Sequence, residues 1–130
     1  MLLDDFYEIL YIKTIDDKNI KASVKINETH KIFKGHFPDN PITPGVVLLQ
    51  ILKNCLEIKL GKPLLMHKLS NTKFLALVNP NFENIIDFNI TISTFGNGYK
   101  IKNISYSKDG TSILKCIAIF EEHSSLINRI

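Results

Sequence analysis

Gly35-His36-Phe37-Pro38-Asp39-Asn40-Pro41-Ile42-Thr43-Pro44-Gly45, running on into Val46-Val47-Leu48-Leu49-Gln50, is the stretch that decides the reading of this chain. Each proline fixes its own φ and pushes the preceding residue into extended backbone, so residues 37–43 are expected to be stiff and non-helical. Thr43 suits an N-cap, Pro44 the first helical position, and the apolar run follows at once, which places a helix start here. His36 thereby takes a defined position relative to Gly45, whose amide points back toward the loop with the other free donors of the first turn. A titratable imidazole facing backbone N–H groups pairs a base with a holder for a developing oxyanion.

The segment closely resembles the signature of the β-hydroxyacyl-acyl carrier protein dehydratases of the FabZ and FabA type, G-H-F-P-x-x-P-x-x-P-G followed by an apolar stretch, and it matches at all seven fixed positions. The resemblance implies a hot-dog fold and a hydro-lyase that converts (3R)-3-hydroxyacyl-acyl carrier protein thioesters to trans-2-enoyl thioesters, in fatty-acid or related lipid or polyene biosynthesis. It gives His36 the role of base and the Gly45 amide that of oxyanion donor, with Phe37, Pro44 and Val46 beside the substrate. The acyl chain would arrive on the phosphopantetheine of an acyl carrier protein, so no metal or nucleotide cofactor is implied.

One position departs from the pattern. In the family an acidic residue lies five residues after the final glycine, and here that residue is Gln50. An amide hydrogen-bonds to a departing hydroxyl or to a water but does not supply a proton as a carboxylic acid does. Family members pair two subunits and build each site from the histidine of one and the acid of the other. The substitution therefore has three readings: a dehydratase working with Gln50 and water, a helper subunit that forms a heterodimer with a complete paralogue, or a hot-dog protein with another task such as acyl-thioester hydrolysis. Gln50 also belongs to the stripe Gln50, Lys53, Asn54 and Glu57, whose helical spacing any solvent-facing set would show.

The other candidate groups read more plainly. His30, His67 and His123 are expected to be structural or solvated, and Asp39, before Asn40-Pro41, reads as a turn former. Cys55 on the helix and Cys116 in an apolar strand lack metal-ligand spacing and are expected to be buried free thiols rather than nucleophiles. Asn27, Asn89 and Asn103 head Asn-x-Ser/Thr triplets that carry no meaning without secretion.

At 130 residues with 45% hydrophobic and 22% charged residues, the chain reads as one domain, residues 1–130, with a single core. No apolar run is long enough to cross a bilayer, and Met1-Leu2-Leu3-Asp4-Asp5 places acids where a secretory signal needs bases, so a cytoplasmic location is expected. The net charge of +3 comes from fifteen lysines and one arginine against thirteen acids, without a basic run of the kind nucleic-acid binding needs. That balance suits an acidic protein partner.

The rest of the sequence frames the motif. Residues 6–15 and 20–26 read as a hairpin around Asp16-Asp17-Lys18-Asn19. The helix is expected from Pro44 to about Leu60, ended by Gly61, and is apolar enough to be wrapped on most sides. Residues 64–77, 82–93, 99–107 and 111–120 read as strands. Within them Ile86, Phe88, Ile90 and Ile92 alternate with polar residues, and Gly96-Asn97-Gly98 and Asp109-Gly110 mark hairpins. The result is an α+β protein in which an antiparallel sheet of about five to six strands curls around one long central helix.

Overall fold

The computed structural model describes residues 5–31, 33, 43–81 and 84–123. It contains strands β1 (Tyr7–Thr14), β2 (Asn19–Ile26), β3 (Leu64–Phe74), β4 (Ile85–Phe95), β5 (Gly98–Ser107) and β6 (Ser112–Glu122), with helix α1 (Gly45–Leu60) between β2 and β3. All six strands form one antiparallel sheet in the order β1-β2-β4-β5-β6-β3. This is the hot-dog arrangement implied by the motif.

The register follows from period-two alternation. In β4 the apolar set Ile86, Phe88 and Ile90 is buried, opposite Val24, Ala22 and Ile20 of β2, while Asp87, Asn89 and Thr91 face the other way. β5 and β6 continue the inner face with Ile101, Leu114, Ala118 and Phe120. Against it lie Val47, Leu48, Ile51, Leu52, Cys55 and Leu56 of α1, the apolar stripe of the helix. Leu52 has no exposed surface. Leu52→Ala should cost about 2–5 kcal/mol through lost transfer energy plus a cavity between helix and sheet. Urea unfolding should register this as a lower midpoint at unchanged slope.

Turn chemistry explains the connections. Asp16 Oδ1 accepts from the amides of Lys18 (2.8 Å) and Asn19 (2.9 Å), which closes the β1–β2 turn. These bonds hold the Asp16 carboxyl below its usual range. Gly61 ends α1 at φ 71°, a left-handed position suited to glycine, and its N–H donates to the Glu57 carbonyl.

Three sequence expectations need correction. The N-cap is Pro44 rather than Thr43, which lies just outside the helix: its N–H donates to the Val78 carbonyl and its buried hydroxyl has no hydrogen-bond partner among the described residues. β3 stops at Phe74 instead of continuing to Leu77, because the next segment leaves the ladder to run beside the helix start. β4 begins at Ile85, and residues 82–83 lie outside the described set. α1 is wrapped on most sides, as expected, with Val46 72% exposed and Ile58 56%.

Candidate functional site

The motif meets the fold at the N-terminus of α1. Pro44 holds ψ 140°, an extended conformation from which the chain turns directly into the helix at Gly45. Among the described residues no side chain caps this end, and the first turn holds no acid, so none of them consumes the amides of Gly45 and Val46. The macrodipole adds partial positive charge at the same place. An anionic oxygen is the natural ligand of such a terminus.

The segment after β3 frames this helix start. Phe74 lays its ring against Gly45 so closely that a Cβ on Gly45 would lie 2.6 Å from Phe74 Cε1. Four residues later the Val78 carbonyl receives the Thr43 amide at 2.8 Å. The Gly45 backbone thus sits under an aromatic ring at a distance only glycine permits. Around it, Val46, Phe74, Leu75 and Leu77 leave apolar surface uncovered. An apolar patch beside a helix N-terminus suits a ligand with an acyl chain and a polarisable carbonyl, or a partner subunit covering both.

Along α1 the polar stripe divides. Asn54 Nδ2 donates to the Tyr7 hydroxyl at 2.5 Å, and burial of that phenol raises its pKa. Glu57 Oε2 accepts the Leu64 amide at 2.9 Å, tying the helix to the start of β3. Gln50 is exposed, one helical turn beyond Val46, and has no hydrogen-bond partner among the described residues. The structure therefore assigns a scaffold task to Asn54 and Glu57 and none to Gln50.

His36 and Phe37, with Asp39 of the same loop, lie outside the described residues, so the structure places Pro44, Gly45, Val46 and Gln50 on one helix without positioning the imidazole. His30 is buried and meets the Phe6 ring edge-on at 5.1 Å, a packing role, while His67 is solvent-exposed 3.8 Å from Glu121. Both cysteines are buried free thiols. Burial pushes Cys55 up to about 12 and Cys116 to about 11, which removes them as thiolate nucleophiles near neutral pH. Phe74 and its contact with Gly45 were missed by sequence reasoning; a bulky aromatic at the end of a strand carries no signal of what it covers.

A six-stranded antiparallel sheet wrapped on one helix defines the hot-dog class. Comparison with known proteins narrows it. The family model for ApeI-like proteins, described as ApeI dehydratase, matches residues 12–108, and the chain belongs to this family. The 3-hydroxyacyl-[acyl-carrier-protein] dehydratase FabZ of Lactiplantibacillus plantarum is 30% identical over 92 residues, covering 61% of each protein. That of Wolbachia pipientis is 35% identical over 95 residues, covering 68% of this chain and 66% of its own length. The match to the L. plantarum protein thus leaves about two fifths of that protein's length unspanned.

Among solved structures, the dehydratase heterocomplex ApeI:P from Xenorhabdus doucetiae superposes with TM-score 0.71 at 14% identity, covering 88% of this chain and 97% of that one. A hypothetical thioesterase from Streptococcus pneumoniae, solved with coenzyme A, gives TM-score 0.63 at 13% identity, covering 91% and 88%. At these identities the likeness is one of fold. Among the described residues no helix is long and apolar enough to cross a membrane, and no cluster of metal-ligating side chains occurs.

Proposed function

We propose that this chain dehydrates 3-hydroxyacyl thioesters carried on an acyl carrier protein, as a cytoplasmic dimeric lyase of the FabZ type without metal or nucleotide cofactor. The observation that carries the reading is the start of α1 at Gly45, which no described side chain caps, in a chain that belongs to a dehydratase family and bears the full G-H-F-P-x-x-P-x-x-P-G run. His36 takes the proton next to the thioester carbonyl. The oxygen that gains negative charge is held by the Gly45 amide and the helix dipole. Gln50 hydrogen-bonds to the departing hydroxyl directly or through a water, and the proton that His36 has taken returns to that hydroxyl through water, so that one water leaves and the imidazole is neutral again. Pro44 sets the angle at which the loop enters the helix, while Phe37 and Val46 border the acyl chain.

The test is mass spectrometry of purified protein with a 3-hydroxyacyl-carrier protein. Loss of one water that requires His36 supports the reading, and an unchanged substrate mass rejects it. Gly45→Ala offers a second check, since its methyl group must displace the half-exposed Phe74 ring and shift the first amides. Stability should change by less than about 1 kcal/mol, because alanine is the better helix former and the ring can swing outward. Water loss should fall by about 10²-fold, the usual cost of a small misplacement at reacting atoms. A thermal melt and the same assay measure the two effects separately.

A second reading draws support from Gln50: the chain serves as the partner of a complete paralogue, contributing His36 to a site whose carboxylate comes from the other subunit. The X. doucetiae relative of the same fold is named as a heterocomplex. Thioester hydrolysis is less well supported. It needs a carboxylate aimed at the carbonyl carbon, and the one acid of α1, Glu57, already accepts the Leu64 amide.

A further inference from the structure

The face of the sheet turned away from α1 gathers lysines over β3, β5 and β6, apart from its acids Glu8, Asp87 and Glu121. Cross-strand partners share a face, so the register fixes which side chains lie together. Lys68 and Lys100 flank Ile119, Ser70 and Lys102 flank Ile117, and Lys73 stands opposite Lys115, which is itself opposite Ile104. Five lysines from β3, β5 and β6 thus surround the half-buried row Ile104, Ile117 and Ile119. Among the described residues none of the five makes an ion pair, whereas Lys21 and Lys62 elsewhere pair with Asp87 and Glu122. The acid that β6 adds to this face, Glu121, lies at the far end beside His67.

The isoleucines are recessed. A depression of about 540 Å³ lies between Lys73, Lys102 and Lys115 over Ile104 and Ile117, and a second of about 420 Å³ adjoins it across Lys102 and Ile104 toward Tyr106 and Ile15. At the end of β3 the patch reaches the candidate site, because consecutive strand residues point to opposite faces. Phe74 covers Gly45 on the inner side, and Lys73 stands next to it on the outer side.

We propose that this outer face docks an acidic protein whose apolar side chains enter the depression between its carboxylates; that the protein is the acyl carrier rests on the function proposed above. Charge complementarity requires an anionic partner. The recessed apolar row calls for protruding side chains, which a flat bilayer surface does not offer, and the patch has no arginine and only Tyr106 at its edge, where a nucleic-acid site has several arginines and stacking aromatics. A carrier docked here holds its prosthetic arm at the strand end that borders Gly45.

Fluorescence anisotropy with a labelled, unacylated holo acyl carrier protein tests the surface. Binding to the natural protein should weaken as salt rises. The combined variant Lys73→Glu, Lys102→Glu, Lys115→Glu should bind at least tenfold more weakly, and the milder Lys73→Gln, Lys102→Gln, Lys115→Gln at least threefold, with circular dichroism showing both folded. Lys13→Glu, Lys18→Glu, Lys25→Glu, with the same charge change on β1, β2 and their turn, should stay within twofold of the natural protein.

Equal carrier binding by natural and charge-reversed proteins overturns the proposal. So does lysine-dependent binding of a 20-base-pair DNA duplex or of phosphatidylglycerol vesicles when the carrier does not bind. A carrier-free N-acetylcysteamine 3-hydroxyacyl thioester separates the two ideas. If it is not dehydrated by any of these proteins, the proposed activity fails while the binding result stands; if all dehydrate it equally but carrier binding ignores the lysines, only the docking surface falls.

Discussion

His36→Ala is expected to reduce water loss from a 3-hydroxyacyl thioester by about 10²–10⁴-fold, the range over which a positioned general base contributes. The substitution removes the imidazole and leaves Pro38, Pro41 and Pro44, each of which fixes its own φ, unaltered. Fold and thermal midpoint should therefore persist, and a melt beside the activity assay separates chemistry from folding. Added imidazole should restore part of the rate in the alanine variant. Undiminished turnover by His36→Ala would move the base elsewhere, and the described residues offer few candidates: His30 is packed against Phe6, and His67 stands on an exposed strand beside Glu121.

The fold was legible where local pattern and burial coincide. The alternation of Ile86, Phe88 and Ile90 with polar neighbours predicts β4 and its inner face, because a strand with one wet side has a period of two. Gly61 marks the helix end because the left-handed C-cap it adopts is costly for other residues. What sequence does not encode locally is where strands with distant partners go. β3 follows the helix yet pairs with β6 at the sheet edge, a contact made by long-range packing alone. Its early stop is of the same kind: Leu75, Ala76 and Leu77 have strand-like composition and the Leu75 amide still reaches Ile113 of β6, but by Val78 the backbone carbonyl is taken by Thr43. The site shows the same division. Gly45 and the helix start follow from Pro44 and the apolar run, whereas the Phe74 ring over Gly45 joins residues twenty-nine positions apart.

Gln50→Glu is expected to raise dehydration by the isolated protein by about 10²-fold, at the lower end of what a positioned acid supplies. The change is nearly isosteric, so a gain reports protonation chemistry rather than repacking. Burial does not oppose the new carboxyl, since Gln50 is exposed and no neighbour on α1 depends on its amide, in contrast to Asn54, which holds Tyr7, and Glu57, which holds the Leu64 backbone. The control is Asn54→Asp, an equal change of charge one turn further on, which should leave turnover within threefold and lower stability by about 1 kcal/mol through the altered bond to Tyr7. Stopped-time mass spectrometry of the three proteins decides between the readings of position 50. A gain confined to Gln50→Glu means that the natural side chain stands at the reacting hydroxyl and does the acid's work weakly through water. A natural protein that is silent alone, wakes with Gln50→Glu and is equally awakened by mixing with a carboxylate-bearing paralogue means that the amide marks the subunit that leaves the acid to its partner. No gain in either setting would place position 50 away from the substrate and return Gln50 to the solvent-facing stripe its spacing first suggested.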